Sequence, residues 1–232
     1  MITKKLAHTL FSKVLTMALP YITRFSWAFS LLLLPYNASA VEEEPFKESV
    51  IIFNTICAKC HEAQCSGRLT FGEAYEVSAS HIIRHYGQAS EKKWLQKELF
   101  IILNHMKENC AYYPMPAPVP AKRIWNSEIL KKMSTLLERN YFIPVGPFTP
   151  GGYNLELNLA KDAKVTVHLV SEAFDLVVED CYQTSDQRLA IPFTIEEAGN
   201  YYVRVYPRKP VQITRLAIST IINGTSNADR LD

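Results

Sequence analysis

The first forty residues lack acidic side chains, and the sequence lacks an apolar run long enough to cross a membrane. The first acidic residue is Glu42, whereas four residues before it are basic: Lys4, Lys5, Lys13 and Arg24. The apolar run Trp27–Leu34 is well short of the roughly 20 residues of a spanning helix. It is followed by Ala38-Ser39-Ala40. This pattern predicts a secretory signal peptide over residues 1–40, cut before Val41, and an uncleaved N-terminal anchor is the alternative.

The remainder of the chain lacks a strong net charge. Four of the 25 basic residues and none of the 23 acidic residues lie in residues 1–40. Residues 41–232 therefore contain 21 basic and 23 acidic side chains. A nucleic-acid-binding protein needs a clustered basic face to neutralise phosphates. The composition therefore excludes nucleic acid as the expected partner, and no membrane span is expected after cleavage. At 232 residues and 48% hydrophobic, the chain can bury two modest cores.

Five cysteines are present, all beyond the predicted cleavage site: Cys57, Cys60, Cys65, Cys110 and Cys181. An oxidising compartment normally pairs cysteines as disulfides. Because five is an odd number, at least one thiol must have another fate.

Two of these cysteines lie in the motif Cys57-Ala-Lys-Cys60-His61. Cys-x-x-Cys-His is the attachment signature of c-type haem, in which each thiol bonds a haem vinyl group and the histidine is the proximal iron ligand. The expected cofactor is one covalently attached haem c. A thioredoxin-like redox pair would follow a β-strand, which the preceding residues do not resemble. A zinc knuckle would need a second ligand pair.

The residues before the motif have helical spacing. Phe46, Val50, Phe53 and Cys57 recur at intervals of four, three and four. The segment Pro45–Cys57 is therefore predicted to be an amphipathic helix that leads into the haem site.

The sixth position on the iron needs a second ligand. Met115 is held between Pro114 and Pro116, which fix the backbone and would present the thioether rigidly. Met106 and Met133 lie in predicted helices, Trp94–Asn109 and Asn126–Asn140, where methionine usually fills a core. Met115 is the predicted distal iron ligand, and the alternatives are His81, His85 and His105.

These features resemble the class I c-type cytochromes over about Pro45 to Phe142. The resemblance implies an all-α haem domain, two axial ligands at His61 and Met115, and an exposed haem edge that passes electrons to protein partners. Two features depart from the family: Glu62 stands where a glycine is usual, and no proline lies between His61 and Pro114. The second nitrogen of His61 therefore needs another hydrogen-bond acceptor.

Cys65 and Cys110 both lie near the haem motif or Met115 in sequence. We predict a disulfide between them, with two buried free thiols as the alternative. Cys181 is then left single.

The last third of the chain alternates with the period of β-strands. Val165, Val167 and Leu169 alternate with polar residues, and similar runs recur up to Tyr206. The segments Phe174–Val178 and Glu197–Tyr206 resemble strands of the bacterial pre-peptidase C-terminal domain. The predicted fold is thus two-domain α plus β, an all-α cytochrome c domain followed by an antiparallel β-sandwich. The domains are a haem domain at 41–144, a Pro/Gly linker at 145–152, a sandwich at 153–222 and a tail at 223–232.

The expected function is that of an exported, periplasmic mono-haem c-type cytochrome without catalytic residues of its own. It would transfer single electrons between redox proteins such as a dehydrogenase, an oxidase or another cytochrome, with the sandwich as a docking module. A haem enzyme or small-ligand sensor with an open or labile sixth position is the alternative, and a binding protein regulated by haem is a third.

Overall fold

The computed structural model describes residues 47–62, 75–135 and 138–221. The chain divides after Glu43, and Glu44–Asp232 forms one compact unit to which all of these residues belong. The predicted signal peptide, Pro45, Cys65 and the tail lie outside the described residues. Within the described ranges, no helix is both long and apolar enough to span a membrane.

The first half of the described chain is helical. Its first helix is continuous but changes pitch: α1 (Lys47–Ile52) passes into a π-helical turn (Phe53–Cys57) and then into α2 (Ala58–His61). Further along lie α3 (Tyr75–His85), a 3-10 turn (Gly87–Glu91) and α4 (Lys93–Asn109). A last helix, α5 (Ser127–Lys131), begins where the Asn126 side chain accepts a hydrogen bond from the Ile129 amide.

Eight strands form two antiparallel sheets in the described part. They are β1 (Ile124–Asn126), β2 (Tyr141–Phe148), β3 (Gly151–Leu159), β4 (Lys164–Ser171), β5 (Leu176–Gln183), β6 (Arg188–Ile195), β7 (Gly199–Pro207) and β8 (Ile213–Thr220). The first sheet has the order β1-β8-β3-β6, and the second has the order β2-β7-β4-β5.

The inner faces of the two sheets share one apolar core. Phe148 on β2 contacts Phe193 on β6 and Tyr153 on β3, with ring centres 5.9 and 4.8 Å apart. Val165, Val167 and Leu169 are fully buried, so the predicted alternation along β4 is confirmed.

The outer face of β7 in the second sheet is also buried, because the helical part of the chain covers it. Tyr202 on β7 contacts Tyr112, and Arg204 on the same strand contacts Glu62 at the end of α2. A strand buried on both faces has a continuous rather than an alternating burial pattern, and Tyr201 to Val205 are all buried. This contact fixes the position of the Cys57–His61 segment.

The predicted fold class is wrong. The described residues are mainly β, in two antiparallel sheets of four strands each, with a few mostly short helices, and they contain no all-α cytochrome domain. The resemblance to a class I cytochrome requires a long closing helix from Asn126. The observed α5 stops at Lys131, since β1 just before it pairs with β8 and Ser134 bridges to Tyr141. The last third of the predicted haem domain is instead joined to the sheets.

A strand also occupies the first part of the predicted Pro/Gly linker. β2 pairs with β7 along residues 141–148 and has a bulge between Pro144 and Gly146. Gly146 has a φ of 92°, and a Cβ added there would lie 3.1 Å from Val119, so glycine is needed at the bulge. Proline is tolerated at bulges and on edge strands such as β2.

Candidate functional site

The Cys57–His61 segment is fixed by the helix that carries it. Residues Ser49 to Thr55 are buried, and the Ser49 hydroxyl donates a hydrogen bond to the Glu98 carboxylate on α4. In the π-helical turn the Ala58 amide bonds to the Phe53 carbonyl, five residues earlier. Single π turns within α-helices occur frequently at functional sites, because the extra residue redirects the side chains that follow. Here the residues that follow are the Cys-x-x-Cys-His motif.

A cavity of about 210 Å³ lies beside this motif and opens to solvent. Cys57, Cys60 and His61 line it from one side, and His81 and His85 on α3 line it from another. The rest of its wall is chiefly apolar and comes from three helical elements: Phe53, Ile56, Ile82, Leu99, Phe100 and Leu103. Apolar walls with a few convergent polar groups are characteristic of cofactor sites.

Three histidine rings meet at this cavity. The ring centres of His61 and His81 are 5.9 Å apart with planes at 82°. Those of His81 and His85 are 4.5 Å apart at 43°. The Nδ1 atom of His61 is buried and has no hydrogen-bond partner among the described residues, so the acceptor expected for its second nitrogen is not found there. A buried polar atom without a partner is uncommon and is typical of a site that binds an ion or another group.

The cysteines have different states. Cys57, Cys60 and Cys181 are free, whereas Cys110 is disulfide-bonded. Its predicted partner, Cys65, lies outside the described residues. Burial raises the pKa of the Cys57 thiol to about 12, and the neighbouring Cys60 adds to the rise. Reactive Cys-x-x-Cys thiols have lowered pKa values, whereas the pKa of Cys57 is raised.

The residue after the motif anchors it to the second sheet. Glu62 Oε1 lies 2.6 Å from Arg204 Nη1, and the Tyr112 hydroxyl donates a hydrogen bond to the same carboxylate oxygen. Arg204 Nη1 also donates to the Asn54 carbonyl at 3.4 Å. Burial and the adjacent Glu62 raise the pKa of Tyr112, against the opposing effect of Arg204, so its hydroxyl stays protonated and acts as a donor.

Met115, the predicted distal ligand, lies elsewhere. Its side chain is 7% exposed and belongs to the apolar core, and it is not among the residues that line the cavity. His105 is also outside the cavity wall, with its ring 4.9 Å from that of Tyr113. The structure thus brings Cys57, Cys60 and His61 together with His81 and His85.

Sequence reasoning missed the anchor residues Glu62, Tyr112 and Arg204. On an alternating strand, Arg204 is expected to point to solvent. The available signal was its neighbours: Tyr202 and Tyr206 have the same parity as Arg204 and so share its face of β7. An outer face rich in aromatic side chains indicates that another part of the protein covers it.

Comparisons with known proteins do not identify a family. No protein-family model matches the chain, and no curated protein matches it. Among solved structures, a family GH115 4-O-methyl-alpha-glucuronidase has 13% identity and a TM-score of 0.32 over 64% of this chain, which spans 24% of that enzyme. A family 29 carbohydrate binding module has 15% identity and a TM-score of 0.23, covering 35% of this chain and 59% of that one. The C-terminal domain of EclA, a sugar-binding protein, has 12% identity and a TM-score of 0.24, covering 47% and 86%.

The family membership that the sequence predicted is therefore wrong. The chain is not a class I c-type cytochrome domain fused to a sandwich of the pre-peptidase C-terminal type, since its described fold is mainly β and neither family is matched. In the described residues, no group of three or more His, Cys, Asp or Glu side chains is arranged to hold a metal ion.

Proposed function

We propose that this chain carries one covalently attached haem and works in single-electron transfer. The observation that carries the proposal is the joint placement of Cys57, Cys60 and His61 on the wall of one cavity. Haem attachment depends on this local motif and not on the surrounding fold, so a mainly β architecture is compatible with it. A haem bound there supplies a one-electron iron couple.

The residues around the cavity fit such a group. Cys57 and Cys60 would hold it through thioether bonds, and His61 would be the proximal iron ligand. The apolar side chains of Phe53, Leu99 and neighbouring residues would exclude water from most of its surface. The cavity is smaller than the roughly 300 Å³ at the low end of ligand pockets, so part of the haem would extend through the open mouth. An exposed edge is what electron exchange with a protein partner requires.

The states of the cysteines support the same proposal. Cys110 is disulfide-bonded, whereas Cys57 and Cys60, only three positions apart, are both free. In an oxidising compartment, free cysteines so close in sequence need another fate. Covalent attachment to haem is such a fate, and it agrees with the signal-like residues 1–40.

The proposal includes a compartment and a class of partner. Cleavage before Val41 would release the protein into a bacterial periplasm, with a membrane-anchored form as the alternative. Its partners would be redox proteins such as a dehydrogenase, an oxidase or another cytochrome. A haem enzyme or ligand sensor would need an open sixth position, whereas His81 lies close to His61.

The test is covalent haem retention. The protein is produced in a bacterium that attaches haem c, and haem is measured after denaturing electrophoresis and acid-acetone extraction. We expect haem to remain with the unmodified chain and to be strongly reduced in Cys57→Ala and Cys60→Ala. Cys181→Ala, which removes an exposed free thiol on β5, is the matched control and should retain haem. Complete extraction of haem from the unmodified protein would refute the proposal.

A further inference from the structure

We propose that His81 is the second axial ligand of the iron, opposite His61. This inference rests on the proposed function and assigns the sixth coordination position to a residue of α3. It replaces Met115, which the sequence alone favoured.

The distance between the two rings fits two ligands of one iron. An imidazole nitrogen binds a metal at about 2.0–2.1 Å and lies about 1.1 Å from its ring centre, so two imidazoles on opposite sides of one metal have centres about 6.2 Å apart. The His61 and His81 centres are 5.9 Å apart, with planes near perpendicular. The observed separation of the two ring centres is therefore close to the value expected for two imidazole ligands of one iron.

The face of α3 that carries His81 is the face that lines the cavity. Ser78, His81, Ile82 and His85 occupy positions i, i+3, i+4 and i+7 of α3, which lie on one helix face, and all four line the cavity. α3 is packed on α4 through Tyr75 and Phe100, whose ring centres are 5.8 Å apart. The His85 ring lies 4.5 Å from that of His81. We assign His85 a positioning role, since this close, tilted ring contact restricts the rotation of the His81 ring.

Met115 has no comparable access to the cavity beside His61. Its segment is docked on the second sheet, where the Tyr112 amide donates to the Glu172 carbonyl at 3.0 Å. Moving the buried Met115 side chain into the cavity would remove it from the apolar core, and a vacated core site is costly. A pair of imidazoles also gives a lower reduction potential than imidazole plus thioether.

The experiment compares four variants that each retain Cys57, Cys60 and His61: His81→Ala, His85→Ala, Met115→Ala and His105→Ala. Each is purified with its haem, and the visible spectrum is recorded in both oxidation states. The unmodified protein should be six-coordinate and low-spin, without the weak red band of thioether-ligated ferric iron.

His81→Ala should lose the low-spin spectrum and bind carbon monoxide rapidly when reduced, and added imidazole should restore the low-spin form. Met115→Ala and the control His105→Ala should keep the spectrum of the unmodified protein. His85→Ala should also stay six-coordinate, with a shifted reduction potential.

Each contrary outcome is distinct. Opening of the iron by Met115→Ala, or by His85→Ala but not His81→Ala, would overturn the assignment while leaving covalent haem in place. Absence of covalent haem from the unmodified protein would instead refute the proposed function itself.

Discussion

The two sheets bury their outer faces to different extents, although they have the same number of strands. Along β3 of the first sheet, burial alternates: Tyr153, Leu155 and Leu157 are buried, and the residues between them are partly exposed. Along β7 of the second sheet, the five residues Tyr201 to Val205 are all buried. β7 is covered by the helix that carries the Cys57–His61 motif, so one sheet has a solvated outer face and the other has a docking face along β7.

An arginine–glutamate pair lies on each outer face and makes the difference measurable. Arg215 on β8 and Glu156 on β3 are 3.2 Å apart, with side chains 39% and 46% exposed. Arg204 and Glu62 are 2.6 Å apart, with side chains 4% and 24% exposed. Solvent screens the exposed pair on the first sheet much more than the buried pair on the second. The two ion pairs should therefore contribute unequally to stability, although their side chains are of the same types.

The largest effect is expected from Arg204→Met. The change keeps most of the side-chain volume but leaves Glu62 without its cationic partner. We expect the free energy of unfolding in urea to fall by about 3 kcal/mol, at the lower end of the usual range for breaking a buried pair because Glu62 is partly solvated. The double variant Arg204→Met with Glu62→Gln should recover part of the loss. A loss below about 1 kcal/mol would show that the covered face behaves like the exposed one.

A smaller effect is expected from Tyr112→Phe. This substitution keeps the ring contacts with Phe142 and Tyr202 and removes only the hydroxyl that donates to Glu62. A hydrogen bond to a charged group contributes about 1.5–3 kcal/mol, so we expect a loss near the bottom of that range in urea unfolding. Tyr182→Phe on β5, a part of the second sheet away from the anchor, is the control and should change stability little.

The stability of the covered face should also depend on pH through His168 on β4, which lies directly opposite Arg204 on the neighbouring strand β7. Burial lowers the pKa of His168, Arg204 and Lys59 lower it further, and Glu179 and Glu62 oppose the shift. The folded chain therefore holds His168 neutral at a pH where the unfolded chain already binds a proton. Stability should fall as pH drops below about 6.5, with a contribution of at most about 1.4 kcal/mol per pH unit.

Urea unfolding at several pH values tests this, and His168→Gln should lessen the slope. An unchanged slope in His168→Gln would assign the acid sensitivity to other groups.

The smallest effect is expected from Arg215→Met on the first sheet. Exposed ion pairs contribute about 0–1 kcal/mol, so the unfolding midpoint in urea should hardly move. A loss equal to that of Arg204→Met would remove the contrast between the two faces.

The parts of the fold that local spacing determines could be predicted from the sequence. The predicted helix Trp94–Asn109 corresponds to Lys93–Asn109, and the alternation along β4 was read correctly. The predicted helix Asn126–Asn140 forms only over Ser127–Lys131 in the described residues, although its apolar residues have helical spacing throughout. Tertiary pairing outweighs that preference, because Trp125 pairs with Leu216 and Ser134 with Tyr141.

The candidate site also has a part that the sequence predicts and a part that it does not. The motif Cys57–His61 was recognisable because its chemistry depends on residues adjacent in sequence. The approach of His81 to His61 depends on how distant helices pack, which no local pattern indicates. The burial of Arg204 also depends on distant elements, and its local signal was limited to the aromatic neighbours Tyr202 and Tyr206. Pro147 was read as part of a linker because its tolerance in a strand depends on β2 being an edge strand.

The anchor between Glu62 and Arg204 also has a consequence for the order of events during biosynthesis. The two residues are 142 positions apart, and the chain is made from its N-terminus at about 5–20 residues per second, so β7 appears roughly 7–28 s after Glu62. During that interval the Cys57–His61 segment has no β7 to dock on. The chain order thus makes the docking of this segment on the second sheet one of the later steps of folding.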